Sequence, residues 1–306
     1  MIVSHLLNAL LRSAWFIDFR TVDAYRTVLA QLLSGNATDG GDVLSDRKPF
    51  SYRLVGGGRS FDSRDMPERL PEETVAVIPL HGTMLKYGTY CSYGTTEVAS
   101  CIQEAAALEN VCGIVLDVDS GGGCVDAIAP VVSAVREAAA QGVPVVAHCD
   151  LCASAAYYVA SQCDHVMAAN AISSEFGSIG VMMSFKDYTK YYEDIGIKEH
   201  TVYSDLSGYK NAPFEAARKG DYSLIRQEEL NPLALVFQEA VKKKRCWLDL
   251  SVKGLLNGRM FFAQDAVANG LCDSVGGLGD AVGKAMELSR KNTVDTYMEC
   301  KKKKKK

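Results

Sequence analysis

From residue 74 the sequence alternates short, continuous apolar runs with segments of helical period, and this constrains the fold more than any other feature. Val75-Ala-Val-Ile-Pro-Leu80, Gly113-Ile-Val-Leu-Asp-Val118, Val143-Pro-Val-Val-Ala-His148 and His165-Val-Met-Ala168 read as strands. Such unbroken apolar runs suit strands covered on both faces. Between them, residues 97–108 and 125–140 read as helices, the first capped by Thr95 or Thr96, and residues 154–161 begin another. Strand–helix alternation of this kind implies an α/β fold with a mostly parallel sheet, flanking helices and right-handed crossovers. Residues 221–244 then read as a long helical region interrupted at Pro232, and residues 248–290 add two or three smaller elements.

The flanks of this region differ in composition. Residues 1–35 read as a helical extension of two helices: Leu6, Leu7, Leu10 and Leu11 form one stripe, and Val22, Tyr25, Val28, Leu29, Leu32 and Leu33 form another. Residues 36–70 turn polar and glycine-rich and are expected to be a flexible linker. Residues 71–290 are the expected folded domain, and residues 291–306, ending in six lysines, a disordered tail.

With 306 residues the chain can bury a sizeable core. Its formal charge of −4 includes +6 from the terminal lysines, so the rest is acidic, which argues against nucleic acid as a partner. The ten cysteines show no zinc-type spacing. Cys149 and Cys152 form a lone pair with two residues between them, and reduced, buried thiols in a cytoplasmic protein are expected. No run reaches the roughly 18 residues of a membrane span. The interrupted N-terminal stripe reads as an amphipathic helix packed on protein, and it lacks the features of a signal peptide.

Sites in open parallel sheets form at the carboxyl ends of strands. Two segments fall there: Ser120-Gly-Gly-Gly-Cys-Val125 and Leu151-Cys-Ala-Ser-Ala-Ala-Tyr-Tyr158. A glycine turn can aim backbone N–H groups at one point and stabilise an oxyanion. It is equally what a plain tight turn looks like. Ser154 suits a helix N-cap or a nucleophile, and a nucleophilic serine needs a base. His148 and His165 read as strand residues without an assignable carboxylate. Lys210, isolated in Ser207-Gly-Tyr-Lys-Asn211, can serve as a base if desolvation lowers its pKa; otherwise it is a surface lysine.

Taken in order, Ser120-Gly-Gly-Gly-Cys-Val125, Ala153-Ser-Ala-Ala-Tyr-Tyr-Val-Ala-Ser161, Gly177-Ser-Ile-Gly-Val181 and Ser207-Gly-Tyr-Lys210 resemble the signal peptide peptidase A / protease IV family. The likeness runs from about Val75 to Val282 and includes Asn257-Gly-Arg-Met-Phe261. It implies the ClpP/crotonase fold and a serine–lysine endopeptidase that needs no cofactor and no metal. Carried over by residue, Ser154 matches the nucleophile and Lys210 the general base. Gly123 and the N–H of Ala155 match the oxyanion donors, and Ser178 matches a serine that orients the lysine. In that family neighbouring subunits can supply the serine and the lysine, so a homo-oligomer acting on protein or peptide substrates is implied.

Three departures bear on the pocket. Gly121 replaces a usual proline, Ala155 and Ala156 replace two glycines, and the lysine segment is one residue shorter. The opening Leu6-Leu-Asn-Ala-Leu-Leu-Arg-Ser-Ala-Trp-Phe-Ile-Asp18 resembles phage-encoded members that process capsid or scaffold proteins. Two other classes stay open at this stage: an acyl-CoA enzyme of the same fold, which leaves Lys210 unexplained, and a non-catalytic assembly protein, which the two alanines favour. A Ser-His-Asp arrangement needs a histidine near Ile179, where there is none.

Overall fold

The computed structural model describes residues 15–17, 50–88, 92–185, 187–198 and 200–303. The elements in chain order are β1 (Trp15–Ile17), β2 (Arg53–Gly56), β3 (Arg59–Asp62), β4 (Thr74–His81), α1 (Thr95–Ala107), β5 (Val111–Ser120) and β6 (Gly122–Cys124). After a 3₁₀ turn come α2 (Ile128–Ala140), β7 (Val145–Ala153), α3 (Ala155–Ala160), β8 (His165–Ala168) and β9 (Glu175–Gly177). The chain closes with α4 (Thr189–Asp194), α5 (Ala212–Arg218), α6 (Asn231–Lys244), β10 (Met260–Phe262), α7 (Ala263–Ala268), β11 (Ser274–Val275) and α8 (Leu278–Lys303).

The expected α/β architecture is present. Nine strands form one sheet whose centre, β4-β5-β7, is parallel. β7 then forks. Its first half pairs with β8 at Val146–Cys149, and its second half pairs with β9 at Leu151–Ala153, both in parallel. Antiparallel strands close the edges, β10 beside β9 and the β2–β3 hairpin beside β4.

Alternation along the central strands divides the core between two faces. Ala76, Ile78, Ile114, Leu116, Val145 and Ala147 point into the larger cluster, with Val98 and Ile102 of α1 and Val131 and Val135 of α2. Val75, Val77, Val115 and Val146 point the other way, against Ala281, Val282 and Ala285 of α8. Burial on both sides is what unbroken apolar strands require. One irregularity lies in β7: Val118 pairs with Cys149 but Ser120 with Cys152, so β7 carries one extra residue, a β-bulge. Both thiols consequently enter the same core cluster. Burial pushes the Cys149 thiol far above its usual pKa, so this thiol is inert packing.

Several expectations are corrected. The linker expected over 36–70 is folded from residue 50 onward, where Gly57 and Gly58, both at positive φ, form a two-residue hairpin turn between β2 and β3. Tyr52, Leu54 and Leu70 of this stretch are buried. Trp15–Ile17 is a strand rather than helix; the rest of the expected helical extension lies outside the described residues. The tail expected to be disordered from 291 continues α8 as far as Lys303. Gly94, not a threonine, caps α1, and its N–H donates to the Glu97 carboxylate at 2.7 Å. The interruption near Pro232 is a π-helical turn over Arg226–Leu230, with the proline in the first turn of α6, where its missing N–H costs nothing.

Candidate active site

Ser154 stands between β7 and α3 with φ 55° and ψ −116°, a conformation that L-residues rarely adopt. It makes no cap hydrogen bond, so the helix-cap reading fails. Its N–H donates to Gly177 O at 2.9 Å, which locks the turn to β9. Its hydroxyl approaches only Gly180 O, at 3.5 Å, too long for a strong bond. The residue is 1% exposed. A strained, buried serine on a strand-to-helix turn, its hydroxyl engaged only by this long contact, resembles the geometry of a nucleophile elbow.

The surroundings of Ser154 follow from the same topology. The N–H of Ala155, in the first turn of α3, has no partner within the helix. Tyr157 anchors α3 from below, its buried hydroxyl donating to Leu271 O at 2.9 Å. α3 packs against β6, the short strand of the glycine turn. Ser120 braces that turn: its hydroxyl donates to Gly82 O at 2.5 Å and accepts from Gly122 N–H at 3.2 Å. At Gly123 a Cβ would lie 2.0 Å from Met84 O, so only glycine lets the two backbones approach. Ser178 follows directly on β9, at φ 52°, with its N–H donating to Arg259 O at 3.0 Å. Ser154, Ala155, Gly123 and Ser178 therefore come from neighbouring elements at one end of the sheet.

Lys210 does not join them within one chain. It is exposed in the turn before α5, and its backbone N–H donates to Ser207 O at 3.0 Å. No hydrogen bond or ion pair links its ammonium to Ser154. Among the described residues no lysine, histidine or carboxylate makes a hydrogen bond to the Ser154 hydroxyl, whose one bond goes to Gly180 O.

A second cluster escaped the sequence. Asp117 of β5 accepts from or pairs with His148 Nδ1 at 3.1 Å and His81 Nε2 at 3.3 Å, so His148 does have a carboxylate partner. Burial opposes ionisation of Asp117, yet the hydrogen bonds to His148 and His81 outweigh it and hold its pKa well below the carboxylate range. The hydrogen bond to Asp117 in turn raises His81 above its usual 6.5, against desolvation. The available signal was acidic residues at 117 and 119 in an otherwise apolar strand, on one face; their partners required the cross-strand register.

Residues 137–292 match peptidase family S49. The chain belongs to peptidase family S49. Among similar proteins, the head-tail preconnector protein GP5 of Enterobacteria phage P21 is 28% identical over 68% of this chain and 42% of its own length. A signal peptide peptidase SppA, so named provisionally, of Enterococcus faecium is 29% identical over 65% of this chain and 56% of its own. The capsid assembly protease C of Escherichia phage lambda is 26% identical over 79% of this chain and 52% of its own. The chain thus spans about half the length of these relatives. Among the described residues, no helix of this S49 protein is long and apolar enough to cross a membrane.

Proposed function

We propose that this S49 protein is a serine endopeptidase in which Ser154 attacks the peptide carbonyl. The observation that carries the proposal is the conformation of Ser154, held at positive φ with its hydroxyl engaged only by the long 3.5 Å contact to Gly180 O, beside the N–H of Ala155 in the first turn of α3. Bonding of the Ser154 Oγ to the carbonyl carbon breaks the C=O π bond and leaves a tetrahedral intermediate whose oxyanion the N–H groups of Ala155 and Gly123 stabilise. A base takes the Ser154 proton and returns it to the leaving amine, so the acyl-enzyme forms as the C–N bond breaks; water then reverses the sequence.

Lys210 is the proposed base. Its exposure in one chain supports delivery from a second copy, where burial against the first would lower its pKa toward neutrality. Ser178 is the proposed residue that orients that ammonium, a reading supported by its position one residue past the Gly177 carbonyl that holds Ser154. A homo-oligomer follows from this division of the site.

The proposed substrates are capsid or scaffold proteins of a phage, in the host cytoplasm during head assembly. Two of the similar proteins, a head-tail preconnector and a capsid assembly protease, support this. Cleavage of secretory signal peptides is the second reading, favoured by the similarity to the Enterococcus protein.

The deciding experiment is labelling with a fluorophosphonate, followed by peptide mapping. The expected adduct is on Ser154, absent in Ser154→Ala, together with loss of peptide cleavage in that variant. An adduct on Cys152, or cleavage retained in Ser154→Ala, sinks the assignment.

A further inference from the structure

β1 lies against the site in a specific register. Trp15–Ile17 runs antiparallel to Gly122–Cys124, with Phe16 opposite Gly123. The other edge of β6 is taken: Met84 N–H donates to Gly122 O, and Cys124 N–H donates to Met84 O, both at 2.9 Å. Peptide groups alternate in direction along a strand. Gly122 and Cys124 therefore turn these groups toward Met84, and the N–H and C=O of Gly123 face the opposite edge, toward Phe16. The N–H of Gly123 is the same group assigned to the oxyanion. The backbone of residues 15–17 thus covers the edge that an extended substrate would need.

We propose that Trp15–Ile17 occupies the substrate groove of this site as an inhibitory strand, with Phe16 at the position of the residue whose carbonyl would be attacked. The groove takes extended peptides antiparallel to β6, chiefly through main-chain hydrogen bonds, and these are excluded while β1 is seated. Tethering favours the resident strand, because an intramolecular competitor acts at an effective concentration near the millimolar range. This inference rests on the peptidase reading of Ser154 for its chemistry, and on the β1–β6 register for its geometry.

The test uses the full chain and its Phe16→Pro variant, since proline removes the N–H that pairs with Gly123 O and cannot sit in a ladder. Two readouts separate this inference from the peptidase reading. Hydrogen exchange of the 120–125 segment reports seating alone and is expected to speed up in Phe16→Pro. Fluorophosphonate labelling at Ser154 is expected to rise about tenfold in the variant, equivalent to about 1.4 kcal/mol of strand docking. A synthetic peptide copying residues 12–20, added to the variant, is expected to slow labelling again, whereas a scrambled peptide is not. Unchanged exchange and equal labelling in both proteins overturn the inference and leave the peptidase reading intact. Faster exchange with no labelling of Ser154 in either protein keeps the seated strand and overturns the peptidase chemistry.

Discussion

The backbone N–H of Ser154 donates to Gly177 O at 2.9 Å, so the strained serine and the turn carrying Ser178 are fixed to each other by one hydrogen bond. The two residues share a second property: both have positive φ, 55° and 52°. Strain is thus stored at two turns joined by one backbone bond, and the surrounding sheet holds it in place.

Ser154→Gly is expected to separate stability from function. Glycine adopts the observed φ without strain, which relieves a cost of roughly 1–3 kcal/mol. After the entropy that glycine adds to the unfolded chain, a rise in Tm of about 2–4 °C is expected, with complete loss of cleavage. Calorimetry and a peptide assay on the same sample check it; a lower Tm contradicts the strain argument.

Gly123→Ala is expected to fail structurally as well as catalytically. The new methyl would meet Met84 O at 2.0 Å, and backbone on both sides leaves little room to yield. A destabilisation of roughly 2 kcal/mol is expected, measured as a lower urea midpoint at an unchanged slope. Wild-type stability in this variant shows that the turn is looser than it stands here.

Lys210→Ala alone should abolish cleavage without lowering Tm, because its side chain is exposed. Mixing it with Ser154→Ala offers the sharper result. If the site is shared between copies, each mixed interface can join an intact serine to an intact lysine, and activity returns after subunit exchange. Persistently inactive mixtures rule out the shared site.

The His81–Asp117 pair sets a pH dependence that NMR can follow. His81 is raised above 6.5, so its contribution to stability is complete below about pH 6.5 and fades as pH rises through the raised value. Asp117 is lowered below 3.8, so its contribution is complete above about pH 4 and is lost only at strongly acidic pH. Asp117→Asn should therefore bring the His81 titration back toward 6.5, and the stability maximum between those limits should flatten. An unmoved His81 midpoint contradicts the pairing.

Arg245, at the end of α6, and Asp273, just before β11, form a buried ion pair. The guanidinium, 2% exposed, pairs with Asp273 at 2.7 Å and donates twice to Gly270 O. Removing one partner strands the other charge, so Asp273→Ala is expected to cost about 3 kcal/mol in chemical denaturation. The double variant Arg245→Met with Asp273→Ala is expected to recover part of that loss.

The parallel centre of the fold was legible because its strands are unbroken apolar runs, and the position of Ser154 at a strand-to-helix turn was legible because small residues crowd it at a strand end. The conformation of Ser154 was not, since nothing local marks a serine at positive φ. The β2–β3 hairpin was hidden by composition: Gly56, Gly57 and Gly58 read as linker, while the two buried side chains that tie it down, Tyr52 and Leu54, are too few to show a period. Asp117 joins His81 and His148 only through register across three strands, which no local window contains. The seating of Trp15–Ile17 depends on pairing across more than a hundred residues, where local helical period competes with a distant edge.

The extra residue in β7 acts as a phase shifter. Before it, odd-numbered residues such as Val145, Ala147 and Cys149 face the helices α1 and α2; after it, Cys152 does. The side of the sheet on which Ser154 emerges is therefore decided by parity, several residues upstream of the serine itself. Deleting Leu151 alone would keep every residue of the catalytic proposal and present the serine to the wrong layer, a lesion invisible to any comparison that asks only whether Ser154 is present.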